Sequence, residues 1–460
     1  MQQDDTIFAL STPPGKSGVA VIRLSGEQAI PILLRLTKKS VAPTPRQALL
    51  SPIYASDGAL LDRALVLYFK APHSFTGEDI VELHLHGGVA IIRAVLSELG
   101  NQQAARPAEP GEFMRRAFYN EKADLLEAEA IADMIDSETS AQLAQAARQM
   151  QGHHSDYFQS LRLKTVEILA LLEAYIDFPE EDIPDAVLSS VEKTIWGLQA
   201  QINQSLNDRR VGERIRSGFH MAIIGAPNVG KSTLLNALAG REAAIVSAEA
   251  GTTRDVIEIH LDIDGYPVLL CDTAGIHSSN HEVEKLGIER SFKHIDMSDI
   301  LLVVMDATNI DDTSEKALEL IEAATNKGHP PIIIGVLNKC DQLSDGGLGA
   351  IKDNLPDQFA NIPLVSISAL SLDAAGPLSG GIKNALDGLM PKEDIWVTRS
   401  RHRDLLEIAS THLSKDIREL PLELFCEEIR LAAVNIGKIT GEIVTDELLD
   451  VIFSRFCIGK

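Results

Sequence analysis

The sequence predicts a multidomain α/β protein. An N-terminal α+β domain (1–120) leads into a helical domain whose first part is 121–216 and second part 389–460, and a P-loop α/β domain (217–388) is inserted between those parts. Three observations point there. A chain of 460 residues exceeds one ordinary core, and at roughly 150 residues per domain three domains are expected. The texture changes twice along the chain, from β-rich to helical and then to alternating β and α. After Pro391 helical texture resumes, as an insertion requires.

The first domain is built on short β runs, "GVAVIRLSG", "RALVLYFKA" and "DIVELHLHGG", punctuated by Pro and Gly. The helical part carries long helical pattern such as "KADLLEAEAIADMIDSETSAQLAQAARQM", with no proline before Pro179. The inserted domain repeats continuous apolar runs, "FHMAIIG", "PVLLCD", "DILLVVMD", "PIIIGVLN" and "IPLVSIS", which belong in a parallel sheet buried on both faces.

Composition bounds the function. Hydrophobic content of 45% supports packed domains, and no run approaches the roughly 20 apolar residues of a membrane span. The start "MQQDDTIFALSTPPG" lacks a basic-then-apolar signal, so a cytoplasmic protein without membrane attachment is expected. Cys271, Cys340, Cys426 and Cys457 have no metal-like spacing, which fits a reducing compartment. A net charge of −24 argues against indiscriminate nucleic-acid binding, which needs phosphates neutralised. Any RNA contact is then local or shared with a partner. Basic segments at Arg115 and Arg116, at 208–218 ("DRRVGERIRSG") and at 399–403 ("RSRHR") read as solvated boundary segments.

"GAPNVGKS", Gly225 to Ser232, follows an apolar strand and opens a helical pattern, the context that gives GxxxxGKS meaning. Such a loop turns successive N–H groups of Asn228, Val229, Gly230, Lys231, Ser232 and Thr233 toward phosphates at a helix N-terminus. Lys231 would reach the β and γ phosphates and the Ser232 hydroxyl would ligate Mg2+. "GTTRD" (251–255) supplies Thr252 and Thr253, with Thr253 the second Mg2+ and γ-phosphate contact. In "DTAG", Asp272 would hold Mg2+ through water, with Thr273, Ala274 and the Gly275 amide near the γ-phosphate. "NKCD" (338–341) selects the base: Asp341 can accept from the N1–H and N2–H2 of guanine, and adenine offers no such pair. An ATPase is the alternative this disfavours. Asn338 and Lys339 would brace the base, and Ser368, Ala369 and Leu370 form the last base-contacting loop.

In Ras-like enzymes a glutamine after DTAG orients the attacking water, but here that position is Ile276, which can neither donate nor accept a hydrogen bond. The order GxPNxGKS, GTTRD, DTAG-apolar, NKxD resembles the TRAFAC GTPases with a hydrophobic residue at the catalytic position. "ARPAEPGEFMRRAFYNEKADLLEAEAIADMID" and the terminal "FCIGK" narrow the resemblance to the MnmE (TrmE) family of tRNA-modification GTPases, over the whole chain. The resemblance implies a Ras-like GTPase domain stimulated by K+ in place of an arginine finger. By family position Asn228, Ser247, Glu249 and Thr252 are the K+ ligands, partly through backbone oxygens; the ordinary alternative for Asn228 is a loop cap. The water-orienting carboxylate falls on Glu284, which the residues alone do not distinguish from Glu282. His277 stands where the family has Arg, and Leu370 where Lys or Arg is common.

The resemblance further implies a folate-binding-like first domain that also makes a homodimer and takes a tetrahydrofolate derivative, 5-formyl or methylene. Arg23, Glu82, Lys122 and Lys460 are then the candidate folate contacts; taken alone, such residues read as surface ion pairs. Cys457 is either a small buried residue or a reactive thiol. The implied activity is a GTPase that works with an FAD-dependent partner, MnmG, to install a carboxymethylaminomethyl or aminomethyl group at carbon 5 of the wobble uridine of tRNA. The rival readings are a ribosome-assembly GTPase, which would show a basic RNA-binding domain, and a slow nucleotide-switch scaffold.

Overall fold

The computed structural model describes residues 5–102, 104–177, 185–241, 259–271, 298–325, 330–344, 347–371, 375–390, 396–454, 456 and 458–459. The chain divides into two units, one of Met1–Ala132, Gln149–Phe178 and Leu422–Lys460, the other of Asp133–Arg148 and Pro179–Pro421.

The first unit holds strands β1 (Thr6–Leu10), β2 (Val19–Ser25), β3 (Leu49–Tyr54), β4 (Leu60–Phe69), β5 (Ile80–His86) and β6 (Ala105–Pro107) in the order β3-β4-β5-β2-β1-β6. Neighbours are antiparallel except β1 and β6. Period-2 alternation decides which face is buried: Asp62, Ala64, Val66 and Tyr68 of β4 point inward while Arg63 and Leu65 point out. The inward face packs on helices Ala29–Thr37 and Val89–Gly100 through Leu24, Ile32, Leu33, Leu83 and Val95. Arg23 of β2 and Glu82 of β5 oppose each other in register on the other face. In the same unit, helix His153–Asp177 packs along helix Leu422–Thr440; Phe158, Leu161, Ile168 and Leu172 are buried on one, and Phe425, Ile429 and Ile436 on the other.

The second unit holds β7 (Phe219–Gly225), β8 (Ile259–Ile263), β9 (Tyr266–Cys271), β10 (Ile300–Asp306), β11 (Ile332–Asn338) and β12 (Leu364–Ser366) in the order β12-β11-β10-β7-β9-β8. All pairs are parallel except the β8–β9 hairpin. Every residue of β10 is buried, as the continuous apolar run requires of a central strand. One face packs on helices Lys231–Arg241 and Ala375–Asp387, the other on Ile310–Thr325. Beside β7 the strand order reverses, between β9 and β10, so a crevice opens at its carboxyl end, where ligands of such sheets bind.

The basic segments are solvated only in part: Arg209, Arg210 and Arg216 are exposed, as expected, whereas Arg116 and Arg403 are buried. Arg403, 4% exposed, donates to Asp208 at 2.7 Å, Glu213 at 3.0 Å and the Leu206 carbonyl at 2.8 Å. Arg216 and Arg399 both meet Asp133, at 2.8 and 2.7 Å, and Arg214 meets Asp299 at 2.7 Å. In the first unit Arg116 is buried between Glu78 and Glu112, and Arg115 pairs with Asp450. The physical reason is that nearly buried carboxylates such as Glu112, Asp133 and Asp208 need a cation beside them, and these arginines supply it.

Candidate functional site

Residues 225–230 form the loop between β7 and helix Lys231–Arg241. The loop needs left-handed backbone at three places: Gly225 (φ +149°), Asn228 (φ +61°) and Gly230 (φ +98°). A Cβ on Gly225 would lie 2.3 Å from the Val304 carbonyl oxygen, and one on Gly230 would lie 2.3 Å from Asn338 Nδ2, so both positions are closed to side chains. Asn228 takes its conformation as the residue type that best tolerates it. Lys231 Nζ donates to the carbonyls of Gly225 at 3.0 Å and Ala226 at 2.8 Å, and burial holds its pKa below the ordinary lysine value. That leaves a partly desolvated cation at the mouth of the loop, suited to phosphate oxygens. Ser232 is exposed and Thr233 half-buried in the first turn of the helix; the Ser232 hydroxyl is the hard oxygen donor that fits Mg2+.

The carboxyl ends of β10 and β11 build the base side. Asn338, 2% exposed, donates from Nδ2 to the Val229 carbonyl at 2.7 Å, and its Oδ1 accepts the Ala369 N–H at 2.9 Å. One side chain thus ties the phosphate loop to the Ser368–Leu370 loop. Lys339 (φ +63°) donates to the Asn228 carbonyl at 3.0 Å and to Asp306 Oδ2 at 2.6 Å. Asp341 and Ser368 line a cavity of about 570 Å³ together with Ile367, Leu370, Ser371 and Pro377, a size that admits a nucleobase. Leu370 is 81% exposed on its rim.

Asp306 escaped the sequence reading. It faces Asn338 across the β10–β11 register, and Oδ1 accepts from the Thr308 N–H at 2.9 Å and hydroxyl at 2.6 Å. Burial works to raise its pKa, but the Lys339 ammonium and the Thr308 donors outweigh it and hold the carboxyl below 3.8. An Asp closing an apolar strand next to the NKCD strand was the available signal.

In the first unit, Arg23 meets Glu82 at 2.9 Å, and His84 Nε2 lies 3.3 Å from the other Glu82 oxygen. The Arg23 guanidinium stands over the rings of Phe75 at 5.5 Å and Phe113 at 5.7 Å. The Gly459 carbonyl accepts from Ser11 Oγ at 3.0 Å and Arg23 Nη1 at 3.4 Å, so the chain end lies on this pair. Lys122 is exposed, its stem against Gly77, where a Cβ would meet Lys122 Cε at 3.0 Å. The face offers one carboxylate and a cation, which suits a ligand with paired N–H donors and an acidic tail. Ser247, Glu249, Thr252, Thr253, Asp272, Thr273, Ala274, Gly275, Ile276, His277, Glu282, Glu284, Cys457 and Lys460 lie outside the described residues.

Residues 6–122 match the family described as GTP-binding protein TrmE N-terminus, and residues 125–457 match the MnmE helical domain. The tRNA modification GTPase MnmE of Paramagnetospirillum magneticum is 44% identical over 457 residues, covering 99% of this chain and 100% of the relative. The chain belongs to the MnmE family of tRNA-modification GTPases. The MnmE of Anaplasma marginale is 44% identical over 460 residues, covering all of both chains. The mitochondrial GTPB3 subunit of a 5-taurinomethyluridine-tRNA synthase from Danio rerio is 42% identical over 478 residues, covering 99% of this chain and 93% of the relative. As a member of the MnmE family the protein is a GTP hydrolase, with a TrmE-type N-terminal region, helical segments and a nucleotide-binding domain. No helix among the described residues is long and apolar enough to cross a membrane.

Proposed function

We propose that this GTPase is stimulated by K+ and acts with an FAD-dependent MnmG-type partner, as a homodimer, to build the aminomethyl or carboxymethylaminomethyl substituent at carbon 5 of the wobble uridine of tRNA. The observation that carries the nucleotide part is a pair of polar links, Val229–Asn338–Ala369, which joins the phosphate loop to the Ser368–Leu370 loop, and Asn228–Lys339–Asp306, which joins it to the end of β10. Asp341 accepts from guanine N1–H and N2–H2 at the cavity it lines with Ser368 and Leu370. Lys231 neutralises the β and γ phosphates, and Ser232 with Thr253 would hold Mg2+, which draws charge from the phosphates when bound. Asn228, Ser247, Glu249 and Thr252 would hold K+, with Asp272, Thr273, Ala274 and Gly275 around the γ-phosphate. Glu284 orients the water whose oxygen bonds the γ-phosphorus as the bond to the GDP oxygen breaks.

The Arg23–Glu82 pair supports the folate reading, in which the carboxylate holds pterin N–H donors and Lys122 and Lys460 meet the acidic tail. Cys457 is assigned to the modification chemistry. The test is nucleoside mass spectrometry of tRNA from cells lacking the gene, complemented with the intact gene or Lys231→Ala. Loss of the C5 substituent, restored only by the intact gene, is expected; unchanged wobble uridines would refute the assignment. GTP turnover in K+ against Na+ separately tests the cation, and Glu284→Ala should retain GTP binding while losing most turnover.

A further inference from the structure

The β8–β9 hairpin occupies a special place in the chain. It runs from residue 259 to residue 271, so GTTRD (251–255) precedes it closely and DTAG (272–275) follows it directly. Its two-residue turn, Asp264–Gly265, has φ of +49° and +96°, the left-handed pair that matches strand twist in a tight hairpin. The Gly265 N–H donates to Asp262 Oδ1 at 2.7 Å.

The Gly265 carbonyl is used elsewhere: it accepts the Ala141 N–H at 3.0 Å. Ala141 is the second residue of helix Ser140–Met150, and the first N–H groups of a helix have no partner inside it. The turn therefore acts as an external cap on this helix. The helix start is itself fixed by a capping box, in which the Gln142 N–H donates to Thr139 Oγ1 at 3.4 Å and Gln142 Oε1 accepts the Thr139 N–H at 3.0 Å. Gln142 Nε2 then donates to the Arg216 carbonyl at 3.1 Å, three residues before β7 and its phosphate loop. Glu138 Oε2 lies 3.5 Å from His260 Nδ1 of β8, and Ala141 packs against the sheet core. The fit at the turn is tight: a Cβ on Gly265 would lie 2.4 Å from Ser140 Oγ, with Ser140 Cβ next at 3.7 Å. Ser140–Met150 is also the helix within which the chain passes from one unit to the other, at Arg148 and Gln149.

We propose that the grip of helix Ser140–Met150 on the Gly265 turn is a positioning element for GTP hydrolysis. By holding the hairpin it sets where the chain enters and leaves the two γ-phosphate segments, so turnover depends on the helical segment 133–148. Ala141, bonded to the Gly265 carbonyl, and Ser140, against the turn, act through the hairpin, and Gln142 acts by fixing the helix start and tying it to the Arg216 carbonyl before β7. The inference rests on the nucleotide-site reading proposed above.

The test uses the full chain and steady-state GTP hydrolysis with separate GDP titration. Gly265→Ala should lower kcat roughly tenfold or more while KM and GDP affinity stay within about twofold, since misplacement of reacting groups costs rate. Adding Ser140→Ala should recover most of the loss. Left-handed strain at residue 265 is common to both variants, so recovery reads the contact alone. Gln142→Ala, which leaves the hairpin intact, should show the same kcat-only loss and serves if Gly265→Ala does not fold. Ordinary kcat in both Gly265→Ala and Gln142→Ala, or a loss shared by KM that Ser140→Ala does not reverse, overturns the proposal. Lys231→Ala separates the two levels. If it hydrolyses GTP normally, the nucleotide-site reading falls and takes this proposal with it; if it is inactive while the grip variants are normal, only the grip is refuted.

Discussion

Asn338→Ala removes a side chain that joins the phosphate loop to the Ser368–Leu370 loop. Its amide makes two bonds, to the Val229 carbonyl at 2.7 Å and from the Ala369 N–H at 2.9 Å, at 2% exposure. Each of the two bonds is worth about 1 kcal/mol where water replaces it, and about 2 kcal/mol where the Val229 carbonyl or the Ala369 N–H is left buried and unpaired. The loss is then about 2–4 kcal/mol, divided between stability and nucleotide affinity. Taken wholly in affinity, that is roughly thirty- to a thousandfold in the Kd for GDP. Fluorescent-GDP titration and urea unfolding together measure both shares. Asn338→Asp should be no better, because its carboxylate still accepts from Ala369 but faces the Val229 carbonyl. Summed losses below about 0.5 kcal/mol in Asn338→Ala would refute the argument that this side chain couples the loops.

Asp306 carries a lowered pKa in the folded protein, so its contribution is present above the unfolded value of 3.8 and fades as pH falls through the lower folded value. Urea stability measured below about pH 5 should fall less steeply in Asp306→Asn, and identical slopes would contradict the Lys339 pairing. Arg403→Ala leaves Asp208 and Glu213 buried without their cation and should destabilise by about 3–5 kcal/mol, read from the urea midpoint; a change under about 1 kcal/mol would mean the junction is hydrated. Asp341→Asn replaces an acceptor by an amide that cannot satisfy both guanine donors. GDP affinity should fall roughly a hundredfold or more while xanthosine diphosphate, with a carbonyl at carbon 2, gains, and unchanged GDP binding would remove Asp341 from the base site.

What the sequence determined by itself lies where chemistry is contiguous. Gly225 to Ser232 must curl, and the glycines that permit it stand within the motif, so the loop between β7 and its helix was legible before any contact was known. Continuous apolar runs are required wherever a strand is covered on both faces, and β10 and β11 obey that locally. Partners distant in the chain are another matter, because register and topology choose them. Asp306 holds Lys339 because β10 lies beside β11 with Asp306 opposite Asn338. Gly459 reaches Arg23 across 436 positions, and Ala141 reaches Gly265 only because a helix start lacks its own acceptors. The basic segments show the same limit in reverse: their charge was plain, but Arg403 finds its carboxylates, Asp208 and Glu213, in the other basic segment, and Arg216 and Arg399 find Asp133. Local backbone demands are written in neighbouring residues, whereas a buried charge or an unpaired N–H is satisfied by whatever the tertiary fold carries within 3 Å or so, and only the fold says which residue that is.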